Sequence, residues 1–273
     1  MELEPASASD PLGCLNIAAV LTGWILFNRI VKFDLTTGLA VAQYGYRMEG
    51  SSQGRGISAL VAINDHEFMV LERNNRGIGV TGADLTPANK NVFLIDINGA
   101  TDITNLDLTD NGTTLKPGIT LVSKTYSGAQ PTPFIDLDAN LAPGLGLSPE
   151  KWEGLTIGPQ LTDGRYLILA GTDNDFSVTQ NGSGTQFDVY YRQTGNLRIQ
   201  CDLGTLANCF TVNADGTVGG AYGGSLDNFN LVPGVLAAFA APLPNFDSPV
   251  PEPTTLAILG FGLAGFQLAR RRR

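Results

Sequence analysis

Apolar residues recur along this chain in short runs of roughly four to seven, separated by Asn, Asp, Gly and Thr, and helix-type spacing is scarce outside the two ends. The clearest unit is 151–176, where Leu155 and Ile157 alternate with Thr156, Asp163-Gly164 marks a tight turn, and 166–170 is an apolar run. This pattern predicts a β-hairpin. Antiparallel pairing would carry Glu153, ahead of the first strand, and Asp173 and Asp175, beyond the second, to one end. Residues 55–74 repeat the pattern with the acidic exit Glu72-Arg73-Asn74. Strand-then-turn segments follow at 29–38, 92–99 and 187–195. Gly56 and Gly154 lie 98 residues apart, about twice the ~40–50-residue period of propeller blades. The expected fold class is all-β and β-propeller-like, with about four to five blades over 28–231.

The connections are polar. Residues 101–115 predict a strand and turn bearing surface carboxylates, and 131–149, with four prolines, an irregular crossing in which 134–138 starts as a strand and runs into a helical turn. Residues 232–249, with Pro233, Pro242, Pro244 and Pro249, are expected to form a spacer with a helical turn at 237–241. Residues 1–27 are ambiguous: the start is acidic, and the apolar stretch 14–27 is interrupted by Asn16 and Thr22-Gly23 and is shorter than the roughly 20 residues a span requires. A degenerate signal core, a buried segment and a natural start lying upstream all fit, and the third is favoured.

With 17 Lys and Arg against 26 Asp and Glu, the net charge is −9, which argues against nucleic acid as a partner. Cys201 and Cys209 flank a turn; an exported protein would close them as a disulfide, whereas in the cytosol they would stay reduced, and Cys14 is left odd. No Cys-X-X-Cys or His partner points to zinc. The lone His66 falls in a turn, where an exposed imidazole is expected. One histidine and no Gly-x-Ser-x-Gly elbow leave a serine triad unsupported. Gly77-Ile78-Gly79 and Gly219-Gly220 follow no strand-to-helix pattern, so neither is a phosphate loop.

The Glu-Gly-Leu opening at 153–155, the Asp-Gly-Arg turn at 163–165, Leu-Ile-Leu at 167–169 and Asp-Asn-Asp at 173–175 stand downstream of Arg-Gly-Ile-Ser at 55–58 and Leu-Glu-Arg-Asn at 71–74. In that order they resemble the phytase-like family (esterase-like activity of phytase). The resemblance covers 28–231 and implies phosphoric-ester hydrolysis on a longer propeller, with further blades ahead of residue 28 and open strand edges where they are missing. The C-terminal residues resemble a PEP-CTERM sorting signal: Pro251-Glu252-Pro253, an apolar stretch 256–269 broken only by Gln267, and Arg270–Arg273. That resemblance implies cleavage by an exosortase and delivery to the envelope or extracellular matrix. Residues 254–269 would anchor the chain transiently in the inner membrane as a helix of about 21 Å. The arginines would stay cytoplasmic and everything before Pro251 would face outward.

Glu72, Glu153, Asp173 and Asp175 all fall at hairpin ends. Gathered at the mouth of a radial fold, their oxygens could bind Ca²⁺, with Arg55, Arg73 and Arg76 holding a phosphate ester. Metal and arginine together suit phosphate-ester hydrolysis. The competing account makes the same residues turn caps and surface ion pairs. Two functions therefore stand at this point: a cation-dependent phosphoesterase, and a non-catalytic module that binds matrix polysaccharide.

Overall fold

The computed structural model describes residues 15–18, 27–49, 56–110, 114–127, 130–141 and 146–247. Arg55, Cys14, the Pro251-Glu252-Pro253 motif and the expected helix at 256–269 lie outside them. The described residues are all-β and arranged in antiparallel sheets, and none of their helices is long and apolar enough to cross a membrane. Residues up to Leu243 form one compact unit; of a second unit, 244–273, only 244–247 are described.

Four sheets of three or more strands follow one another along the chain, besides the two-stranded pairs Thr109–Asp110 with Thr114–Leu115 and Tyr126–Ser127 with Gln130–Pro131. The first pairs Leu15–Ala18, Phe27–Phe33 and Ala40–Arg47. The second runs Gly56–Ala62, Glu67–Arg73, Lys90–Asp96 and Ile135–Asp136, with Ser123–Lys124 also on Lys90–Asp96. The third comprises Lys151–Gln160, Tyr166–Asp173 and Leu236–Ala241. The fourth takes Val178–Gln180, Gln186–Arg192, Leu197–Asp202, Phe210–Val212 and Val218–Ala221 in order, with Asn230–Leu231 returning to Gln186–Arg192. The hairpins expected at 55–74 and 151–176 are both present: Asp, Asn and Gly close the turns, Ile168 and Ala170 alternate into the core in the second, and 68–72 are buried without a break in the first.

Two expectations are corrected. Residues 237–241 are not a helical turn: Leu236–Ala241 pairs along the whole of Tyr166–Gly171, from Tyr166 opposite Ala241 to Gly171 opposite Leu236. Strand Tyr166–Asp173 needs a second neighbour for its backbone donors and acceptors, and this demand outweighs the helix propensity of alanine. Any spacer therefore begins later than residue 232, since Val232 and Leu243 are buried. His66 is also less free than its turn suggested. Its Nδ1 lies 2.9 Å from Asp96 Oδ1, and that hydrogen bond holds the imidazole pKa above its ordinary value.

The first and second sheets share a core of Ile30, Tyr46, Phe68, Val70, Phe93 and Ile95. At its margin sits an ionic knot. Lys124, 3% exposed at its side chain, donates to Glu72 Oε1 at 2.7 Å and Glu49 Oε1 at 2.9 Å. Its ammonium lies 4.5 and 4.3 Å from the ring centres of Tyr46 and Phe93, and the Tyr46 hydroxyl donates to Glu72. Removing one partner of so buried a pair leaves the other charged and poorly solvated. Lys124→Met should lower unfolding free energy in urea by roughly 3 kcal/mol, and adding Glu72→Gln should restore much of the loss.

Candidate functional site

Two β-bulges bring the second and third sheets together. In the second, the register slips between Ile57 and Ala59, and the extra residue, Ser58, donates to Trp152 O at 2.7 Å. In the third, it slips between Trp152 and Gly154, and the extra residue is Glu153. Bulges re-aim side chains, and Glu153 here accepts from Arg73 Nη2 at 2.8 Å. Trp152 itself is fully buried, its indole donating to Ser148 Oγ.

A loop leaving the second sheet completes the site. Ile78 N donates to Ser148 O and Glu150 N to Ile78 O, both at 2.7 Å, a parallel bridge that lays 77–79 against 148–150. The approach demands bare backbone: a Cβ on Gly77 would fall 2.2 Å from Ser148 O, and one on Gly79 would fall 2.2 Å from Glu150 Oε2. Gly77 also has φ +120°, which L side chains rarely adopt. The Gly-x-Gly run serves close packing.

Around that contact lie four cations, Lys90, Lys151, Arg198 and Arg73, and two partly buried carboxyls, Glu150 and Asp138. Lys90 is fully buried and donates to Asn74 O and, at 3.0 Å, to Asn74 Oδ1. Lys151 donates to both oxygens of Asp175, at 2.5 and 2.6 Å. Arg198, 1% exposed, donates only to carbonyls, those of Gly79, Val80 and Asn213, and its Nε has no partner. Burial lowers its pKa to about 10. Arg73, besides Glu153, feels the carboxyl of Glu150. Burial pushes the Glu150 pKa above the usual carboxylate range, although the charges of Lys151, Arg73 and Lys90 pull it down. Asp138, whose Oδ2 accepts from Lys90 N at 3.0 Å, is pushed up by burial as well.

The residues expected to form the site are distributed otherwise. Glu153, Asp173 and Asp175 do share one end of the hairpin, with Lys151 directly opposite Asp173. Asp173 accepts from Asp175 N at 2.9 Å, Glu153 holds Arg73, and Asp175 holds Lys151. Glu72 belongs to the buried knot of Lys124 and Tyr46, apart from them. Among the described residues no three acidic, His or Cys side chains form a metal-binding group. Each of these carboxylates already serves a cation or a backbone amide. Arg76 pairs with Asp84. Cys201 and Cys209 are joined by a disulfide beneath Phe229. Two grooves, of about 230 Å³ beside Glu67, Asp96 and Lys124 and about 460 Å³ beside Phe134, Ile135 and Phe239, share no lining residue with the cationic cluster.

Glu150, Lys90 and Arg198 were not singled out from the sequence. The signal for Glu150 was the Gly-x-Gly run, which marks a position where another segment must come close. A carboxyl whose folded pKa is raised stabilises the protonated folded state, so its contribution is full below the unfolded value near 4.5 and is lost as pH rises through the folded value. Glu150→Gln should therefore melt at the same temperature as the parent chain below about pH 4 and at a higher one at pH 7, read by calorimetry across pH.

A family model described as phytase-like, esterase-like activity of phytase, matches residues 23–176, more than half of the chain, and includes Arg73, Lys90, Glu150 and Lys151. A second, the PEP-CTERM protein-sorting motif, matches residues 249–273. No curated protein and no solved structure matches.

Proposed function

Because this chain belongs to the phytase-like family, we propose that it is an exported phosphoric-ester hydrolase of the cell surface whose working site is the cationic cleft around Glu150. Export and processing by an exosortase follow from the PEP-CTERM motif. Transient anchoring through 254–269, with the terminal arginines cytoplasmic, suits a signal of that form. The four successive antiparallel sheets support a propeller-like arrangement of blades.

The observation that carries the reading is a partly buried carboxyl, Glu150, set among Arg73, Lys90, Lys151 and Arg198. Guanidinium and ammonium groups bind phosphoryl oxygens, bidentately in the case of arginine. A carboxyl whose pKa is lifted by burial retains a proton nearer to neutrality and can deliver it to a leaving group. In the proposed step water attacks phosphorus, the bond from phosphorus to the ester oxygen breaks, and the departing oxygen takes the Glu150 proton. The attacking water's proton leaves to solvent, and solvent reprotonates Glu150. The products are alcohol and inorganic phosphate.

A second reading, a non-catalytic module that binds an acidic or polysaccharide matrix, is favoured by one observation: Arg73 and Lys151 are each already paired with a carboxylate. Phosphate release from myo-inositol hexakisphosphate by the full chain separates the two. The hydrolase reading expects turnover that falls about 100-fold in Glu150→Gln, with a much smaller fall on p-nitrophenyl phosphate, whose leaving group needs no proton. Saturable binding without release would establish the binding module instead.

A further inference from the structure

The segment after the acidic end of the third-sheet hairpin is folded at a cost that packing does not explain. Asp175, Phe176 and Ser177 have φ of +51°, +56° and +62°, three successive L-residues in the left-handed region, which costs each of them conformational energy. Specific contacts enforce the turn. Lys151 grips both oxygens of Asp175, Ser177 is buried with its hydroxyl donating to Val232 O at 2.7 Å, and Asn174 Nδ2 donates to the same carbonyl at 2.8 Å. What these contacts display is a phenyl ring. Phe176 is 92% exposed, while the next most exposed large apolar side chain among the described residues, Leu236, reaches 73%. Leaving a Phe side chain in water forgoes the stabilisation its burial would bring. Strain and exposure therefore fall on one residue, next to the Asp175 that Lys151 holds and so beside the cluster around Glu150.

We propose that Phe176 is a specificity-determining residue: the apolar C–H face of a phosphorylated polyol ring stacks on its phenyl ring while a phosphate of the same molecule lies among the cations of the cleft. Aromatic platforms held rigid by their backbone bind ring partners with little entropy loss, and stacking on one contributes measurably to affinity. The proposal rests on the reading that the cleft takes phosphate esters; it does not require that the cleft hydrolyse them. An acyclic phosphate would meet the cations and leave the phenyl ring unused.

The test uses the full chain, its Phe176→Ala and Phe176→Trp variants, and two probes, myo-inositol hexakisphosphate and glycerol 2-phosphate, by titration calorimetry and, where release occurs, by steady-state kinetics. Phe176→Ala should weaken binding of the ring compound roughly tenfold, leave the acyclic compound and kcat unchanged, and not lower the melting temperature. Phe176→Trp should keep the affinity and change fluorescence when the ring compound is added. Equal losses on both probes, or no loss on either, would overturn the assignment, as would a markedly lower melting temperature in the alanine variant. If ring binding depends on Phe176 but no phosphate is released, the hydrolase reading fails and the platform stands. If the parent chain binds neither probe, both fall.

Discussion

The site depends on one close backbone approach. Segments 77–79, in a loop leaving the second sheet, and 148–150, just ahead of the third, are tied by two short amide-to-carbonyl hydrogen bonds at a separation only glycine permits. Everything chemical nearby follows from that contact. It turns the Glu150 carboxyl against Gly79, and it presents the Gly79 and Val80 carbonyls to Arg198 on the fourth sheet. A guanidinium as buried as Arg198 is costly to desolvate, and carbonyl dipoles alone compensate it less than a carboxylate would. The depressed pKa of Arg198 and the raised pKa of Glu150 are both consequences of excluding water from this junction.

The two bulges complement the junction. A regular ladder would place Ser58 and Glu153 on the alternating faces of their sheets; the extra residue on each strand turns one hydroxyl toward Trp152 O and one carboxylate toward Arg73. Arg73 and Lys151 are thereby oriented by Glu153 and Asp175, while Glu150 is left to the field of the whole cluster. Such an arrangement suits recognition of an anion that can exchange with, or sit beside, the resident carboxylates.

Much of the fold was legible because hairpins are local objects. Leu155, Ile157 and the run 166–170 alternate with the period of a half-buried strand, and Asp163-Gly164 closes the turn between them, so neighbouring residues suffice to specify the pair. The same logic brought Glu153, Asp173 and Asp175 to one hairpin end. It did not extend to Glu72: its hairpin-end position resembles that of Glu153, yet its partners Lys124 and Tyr46 arrive from segments 52 and 26 residues away. Nor could it find strand Leu236–Ala241, whose alanines favour helix in isolation and become a strand only because Tyr166–Asp173 offers an unpaired edge.

By itself, the sequence determined the all-β class, the two main hairpins, the family and the sorting signal, since each is written in local periodicity or contiguous motif. Only the tertiary structure decided which charges meet. It set Glu72, Glu153 and Asp175 on separate cations and Asp173 on a backbone amide, joined Cys201 to Cys209, withdrew His66 toward Asp96, and assembled Glu150 with Lys90 and Arg198 from three parts of the chain. The physical reason is range. Backbone pairing and turn chemistry act over a few residues, whereas desolvation and ion pairing depend on which segments exclude water from one another, and a linear pattern does not carry that information.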